Sequence, residues 1–122
     1  MQQHPRDFVL NEDGIENTIY DIANWHKDRN LIEGSNDKNQ VLKLIQELGE
    51  LSDSICKGKD PVDDIGDIIV ILINIAVRNG YTIKQCLDHA YSDIKNRRGK
   101  MIDGIFVKES DSIDPDSIGN RL

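Results

Sequence analysis

The sequence predicts an all-α fold, an antiparallel four-helix bundle. Three observations predict it: four stretches carry apolar residues at helical spacing, capping residues flank them, and the later connections are short. Short connections make successive helices antiparallel neighbours. The 122 residues fit one domain. A helical domain of this size buries only a modest core, so self-association would add to it. Aromatic residues are 5% of the chain, so Ile and Leu must supply that core.

The first helix is expected to follow Asp13, with Glu16 as its capping partner, and to run to about Lys27. Ile15, Ile19, Ile22 and Ala23 form its apolar face. The polar segment 28–36 contains Gly34 and reads as a loop. The second helix starts near Asp37, with Gln40 at the capping-box position. Val41, Leu44, Ile45, Leu48, Leu51 and Ile55 recur at helical spacing before Lys57-Gly58 stops it.

Asp60-Pro61 opens the third helix, because Asp suits the N-cap and Pro the first helical position. Apolar residues then cover nearly its whole circumference up to Asn79-Gly80, so neighbours or a second subunit should enclose it. Its many β-branched residues make a buried strand the competing reading. The length of the run and the helical spacing of Asp64, Asp67 and Asn74 favour helix. Thr82 and Gln85 open the fourth helix, whose apolar face is Ile83, Leu87, Ala90, Tyr91 and Ile94. It is expected to end in Lys95-Asn96-Arg97-Arg98 before Gly99. Gly104-Ile105-Phe106-Val107 reads as a short extended piece. The helical domain should therefore occupy 1–108, followed by a flexible acidic tail over 109–122.

The formal net charge of −7 argues against a binder of nucleic-acid polymers or anionic membranes. It leaves open a small phosphorylated ligand carried on divalent cations. No apolar run reaches about 18 residues, so no membrane span is expected. The opening MQQHPRDFVL has no signal-peptide core, and a cytoplasmic location is expected. Cys56 and Cys86 form no CxxC pair and read as reduced, buried thiols. Walker, GxGxxG and Glu-x-x-His patterns are missing, and 111–119 only faintly resembles a calcium loop.

Glu47 and Glu50 stand three apart on helix two, and Asp64 and Asp67 three apart on helix three. A glycine lies inside each pair, Gly49 and Gly66, where it costs about 1 kcal/mol relative to alanine. If the two helices run antiparallel, the four carboxylates converge in an apolar bundle. That arrangement is unfavourable without a cation. Hard oxygen donors suit Mg²⁺ or Mn²⁺. Asp60 and Asp63 are explained by capping and the helix dipole. Asp67 is harder to explain that way, because it interrupts the most apolar stretch of the chain. Asn74, two turns further on, is either a satisfied buried amide or a substrate contact. Lys43, one turn before Glu47, is a candidate phosphate partner.

Gln46-Glu47-Leu48-Gly49-Glu50 followed by Asp64-Ile65-Gly66-Asp67 resembles the EExxE…ExxD signature of MazG-like, all-α nucleoside triphosphate pyrophosphohydrolases. The order of the four helices matches as well, and the resemblance spans about 15–100. It implies hydrolysis of a nucleoside triphosphate to the monophosphate and pyrophosphate, dependence on Mg²⁺ or Mn²⁺, and a homodimer or homotetramer. Glu47, Glu50 and Asp67 match the family's metal-binding acids, and Asp64 stands where glutamate is usual. Glu47 or Glu50 would orient the attacking water. Lys95 and Arg98 fall where the family often supplies cations to the substrate, with pairing to the helix dipole as the alternative. Trp25 would stack on the base, or cap the core beside His26. Gln46 replaces the family's first glutamate, and an amide is no base and a weak ligand. A catalytically weak or inactive nucleotide- or metal-binding module is therefore the second reading.

Overall fold

The computed structural model describes residues 11–109, and the chain divides into two compact units between Ile83 and Lys84. The first unit holds α1 (Ile15–Asp28), α2 (Asp37–Cys56) and α3 (Val62–Arg78). The second holds nearly all of α4 (Ile83–Ile94) and the strands β1 (Gly99–Ile102) and β2 (Ile105–Lys108). The chain is thus mostly helical with one small two-stranded sheet. Apart from residue 109, the expected acidic tail lies outside the described residues, as does the faint calcium-like loop.

Local chemistry explains where the helices begin and end. Gly14, rather than Asp13, is the N-cap of α1, because the backbone there is left-handed at φ 81°. Asn36 caps α2, its side chain accepting the Asn39 amide at 2.8 Å. Gln40 does not close a capping box; its amide donates to Ser35 Oγ at 3.0 Å. The start of α3 is shifted by one from the expectation: Pro61 is the N-cap and Val62 the first helical residue, while Asp60 Oδ1 accepts the Val62 amide at 3.0 Å and so satisfies an otherwise orphaned donor. Lys57-Gly58 and Asn79-Gly80 end α2 and α3 where the sequence predicts.

The α2 and α3 axes are antiparallel. Arg78 at the end of α3 reaches Asp37 at the start of α2, while Asp64 at the start of α3 acts electrostatically on Glu50 late in α2. α1 packs on α3 as well. Among the described residues, Ile71, Ile73 and Ala76 of α3 are the buried apolar ones, joined by the polar Asn74, His26 and Glu47. Enclosure of α3 is incomplete: Val62, Ile65, Ile69 and Leu72 stay exposed along one stripe. Val41, Ile45, Leu48 and Ile55 form a second open stripe on α2.

One expectation is corrected in the second unit: α4 stops at Ile94, not at Arg98. The extended piece after Gly104 is β2, one arm of a hairpin. Asp103 and Gly104 both have positive φ, 51° and 80°, which is the turn that matches the twist of two paired strands. Residue Gly99 pairs with Lys108, and a Cβ at Gly99 would run into the Val107 carbonyl and the Phe106 ring. The chain must leave the helix before that pairing can form. The thiols are corrected too. Cys56 and Cys86 are free but exposed, because the helix faces that carry them are uncovered.

Candidate metal centre

α2 carries Glu47 and Glu50 on one face, one turn after Lys43. Glu47 is buried, its side chain 9% exposed, although it is a carboxylate on a twenty-residue amphipathic helix. Its Oε1 lies 3.4 Å from Lys43 Nζ. Its Oε2 is buried and has no hydrogen-bond partner. A buried carboxylate oxygen without a donor is costly, so this atom needs an explanation.

The neighbouring charges deepen the imbalance. The Glu50 carboxyl is pushed above its ordinary range, first because its protonated form can hydrogen-bond Glu47, then because the Glu47 charge repels it. Asp64 on the facing helix adds to the push, and Lys43 opposes it. Asp67 is pushed up by burial first, then by the charges of Asp63, Glu47 and Asp64, again against Lys43. The four acids singled out from the sequence therefore act on one another across α2 and α3. Asp63 joins them, which its expected capping role alone does not reveal. The signal was its position one turn before Asp67.

The donor set is all carboxylate oxygen, the chemistry a hard divalent cation takes. The orphaned Glu47 Oε2 fits such a cation. In the conformation described, no three Asp, Glu, His or Cys side chains among the described residues are placed to hold a metal ion. A Cβ added at Gly49 or Gly66 would meet nothing within 4 Å, so neither glycine serves a close contact inside this chain.

The other candidates sit elsewhere. Asn74 is 0% exposed; its Nδ2 donates to the Leu31 carbonyl at 3.0 Å and lies 3.3 Å from His26 Nδ1. His26 Nε2 donates to the Val70 carbonyl at 2.9 Å. The pair ties α1 and the following loop to α3 through Asn74 Nδ2, whereas Asn74 Oδ1 is buried with no hydrogen-bond partner, so this amide is satisfied on its donor side alone. Trp25 is 45% exposed, and one ring face is covered by Arg29, whose guanidinium carbon lies 4.4 Å from the centroid. Lys95 and Arg98 belong to the second unit. There Arg98 lines an open cleft of 420 Å³ with Gly99, Lys100, Val107 and Glu109. Gln46 is exposed, next to the buried Glu47.

No family model matches this chain, and no solved structure matches it. Over 67 residues, 53% of the chain, it is 39% identical to an uncharacterized 18.2 kDa protein from the rep-hol intergenic region of Haemophilus phage HP1. That match covers 41% of the phage protein's length. No single helix among the described residues is long and apolar enough to cross a membrane.

Proposed function

We propose that the chain is a divalent-metal-dependent nucleoside triphosphate pyrophosphohydrolase built on an antiparallel MazG-like helical bundle. The observation that carries the reading is the buried Glu47 carboxylate, with one oxygen unpaired, amid acids from two helices. Mutual repulsion of this kind is a feature that stability alone disfavours and a cation relieves.

Glu47, Glu50, Asp64 and Asp67 are the residues that would hold Mg²⁺ or Mn²⁺. Such an ion, when bound, neutralises phosphate charge and makes a bound water more acidic. Glu50 is the better candidate to take the proton of the attacking water, because its carboxyl is exposed and already biased toward holding a proton. Buried Glu47 is the anchoring ligand. Lys43 offers its ammonium to the triphosphate. Attack at the α-phosphorus breaks the bond to the β-phosphate oxygen and releases pyrophosphate and the nucleoside monophosphate.

The reading includes assembly of copies of the chain into a homodimer or homotetramer. The open stripes Val41/Ile45/Leu48/Ile55 and Val62/Ile65/Ile69/Leu72 support it, since exposed apolar faces of this extent mark interfaces. Sedimentation of the pure protein tests that part.

Incubation of the protein with a panel of ribo- and deoxyribonucleoside triphosphates and Mg²⁺, read for pyrophosphate, tests the activity. Release that disappears in Glu50→Gln supports the enzyme. Metal or nucleotide binding without turnover of any nucleotide supports instead the second reading, an inactive binding module. Gln46 favours that alternative, because its amide can neither act as a base nor serve as a strong ligand.

A further inference from the structure

The acid cluster contains its own cation. Lys43 Nζ stands 3.4 Å from Glu47 Oε1, and its side chain is half exposed while that of Glu47 is buried. Lys43 also draws on the two other acids, Glu50 and Asp67, against the push of their acidic neighbours. Other lysines that pair at the same helical spacing behave differently. Lys57 with Asp53 and Lys84 with Asp88 bridge carboxylates that are more than half exposed, and water screens such pairs. Lys43 instead faces a carboxylate withdrawn from water, whose second oxygen finds no donor.

We propose that Lys43 is the resident counter-ion of the cluster: it partly neutralises Glu47 when no metal is present, and a divalent cation entering the site displaces its ammonium toward the phosphates of a nucleotide. The inference rests on the reading that these acids bind metal. The physical reason is that one carboxylate cannot serve a lysine ammonium and a divalent cation at close range without mutual repulsion of the two positive groups. The exposed half of the lysine side chain lets the ammonium swing outward without disturbing buried packing. Binding is then ordered. Metal loads first and frees Lys43, and the freed ammonium adds a phosphate contact that the metal-free protein lacks.

The test is a titration of the full chain with Mn²⁺ alone, followed by calorimetry and by the spin resonance of free Mn²⁺. Lys43→Met is expected to bind Mn²⁺ about three- to tenfold more tightly than the wild type. Lys57→Met, which changes net charge equally, leaves the affinity unchanged, and Lys43→Arg keeps it near wild type. A nucleotide analogue with a non-hydrolysable α,β-bridge, added to the Mn²⁺-loaded protein, binds Lys43→Met more weakly. The two ligands thus respond with opposite sign, which a merely destabilised variant does not produce. Should Lys43→Met fail to fold by circular dichroism, Lys43→Gln carries the same expectations. Mn²⁺ binding to the charge-removed variant that is equal to or weaker than wild type overturns the counter-ion role. Unchanged analogue affinity overturns the handover to phosphate. Failure of the wild type itself to bind Mn²⁺ removes the metal-site reading, and this inference with it.

Discussion

The two ends of the α2–α3 pair are built from similar residues and behave oppositely. At one end Asp37 accepts Asn79 Nδ2 at 3.0 Å and Arg78 Nε at 2.9 Å. These bonds, Asn79 first, hold its carboxyl below the usual range. At the other end Glu50 and Asp67 face Glu47, Asp63 and Asp64, and their carboxyls are held above it. One end gives its carboxylate two donors and leaves only a donor, Arg78 Nη1, buried without a partner, and the other gathers acceptors with too few donors. A helix pair that needed only stability would treat both ends like the first. The contrast is what the proposed metal site rests on, because the acid end lacks positive charge that the other end supplies from Arg78.

The largest effect expected of any change at the acid end is on turnover. Glu50→Gln should lower pyrophosphate release by about 10²-fold or more, the range typical for losing a positioned acid–base group. Retained release in that variant would break the assignment. At the paired end, Arg78→Met should lower the thermal midpoint by about 4–8 °C, leaving the Asp37 carboxylate one donor short. Read without metal, Glu50→Gln should move the midpoint the other way, upward, because it removes a charge that its neighbours repel. If the acids hold metal as proposed, Mn²⁺ should raise the midpoint of the wild type and not that of this variant, measured by calorimetric melting with and without the ion.

The pH dependence of the metal-free protein separates the ends again. Glu50 and Asp67 bind protons more readily folded than unfolded. Their contribution therefore falls as pH rises from their ordinary values of 4.5 and 3.8 through the raised folded ones. Asp37 works with the opposite sign. Its contribution is present above 3.8 and is lost as pH falls through its lowered folded value. For these three groups together, stability should rise on mild acidification from neutral pH and fall again below about pH 3.8. Denaturant melts across that range check it: Asp67→Asn should flatten the upper limb and Arg78→Met the lower. The smallest expected effect belongs to Gly49. Alanine there adds a Cβ that meets nothing within 4 Å, so Gly49→Ala should stabilise the metal-free chain by about 0.5–1 kcal/mol. A loss instead would mean that a second copy or a ligand approaches this face.

Much of the fold was legible because capping and periodicity are local. The ends of α2 and α3 follow from Asn36 and Asp37, Asp60-Pro61 and the two following glycines, each of which satisfies or releases backbone groups within a turn of itself. The hairpin itself was not read: Asp103-Gly104 between apolar residues was its signal, but the basic run 95–98 reads equally well as a helix terminus. Which of the two prevails depends on strand pairing with Val107 and Lys108. The exposure of Cys56 and Cys86 could not be read, because an amphipathic pattern identifies a face without saying whether anything covers it.

For the site, the sequence by itself determined which acids could meet: two pairs at i, i+3 on consecutive helices joined by a short turn. It also determined the hard-oxygen character of the donors. Only the tertiary structure decided that Glu47 is buried with an unpaired oxygen, that Asp63 joins the cluster, that Lys43 stands as its cation, and that Asn74 is tied to His26 and Leu31. The physical reason is that burial and pairing belong to the space between helices. A residue's own helix sets the direction its side chain takes, and the neighbouring helix sets what waits for it there.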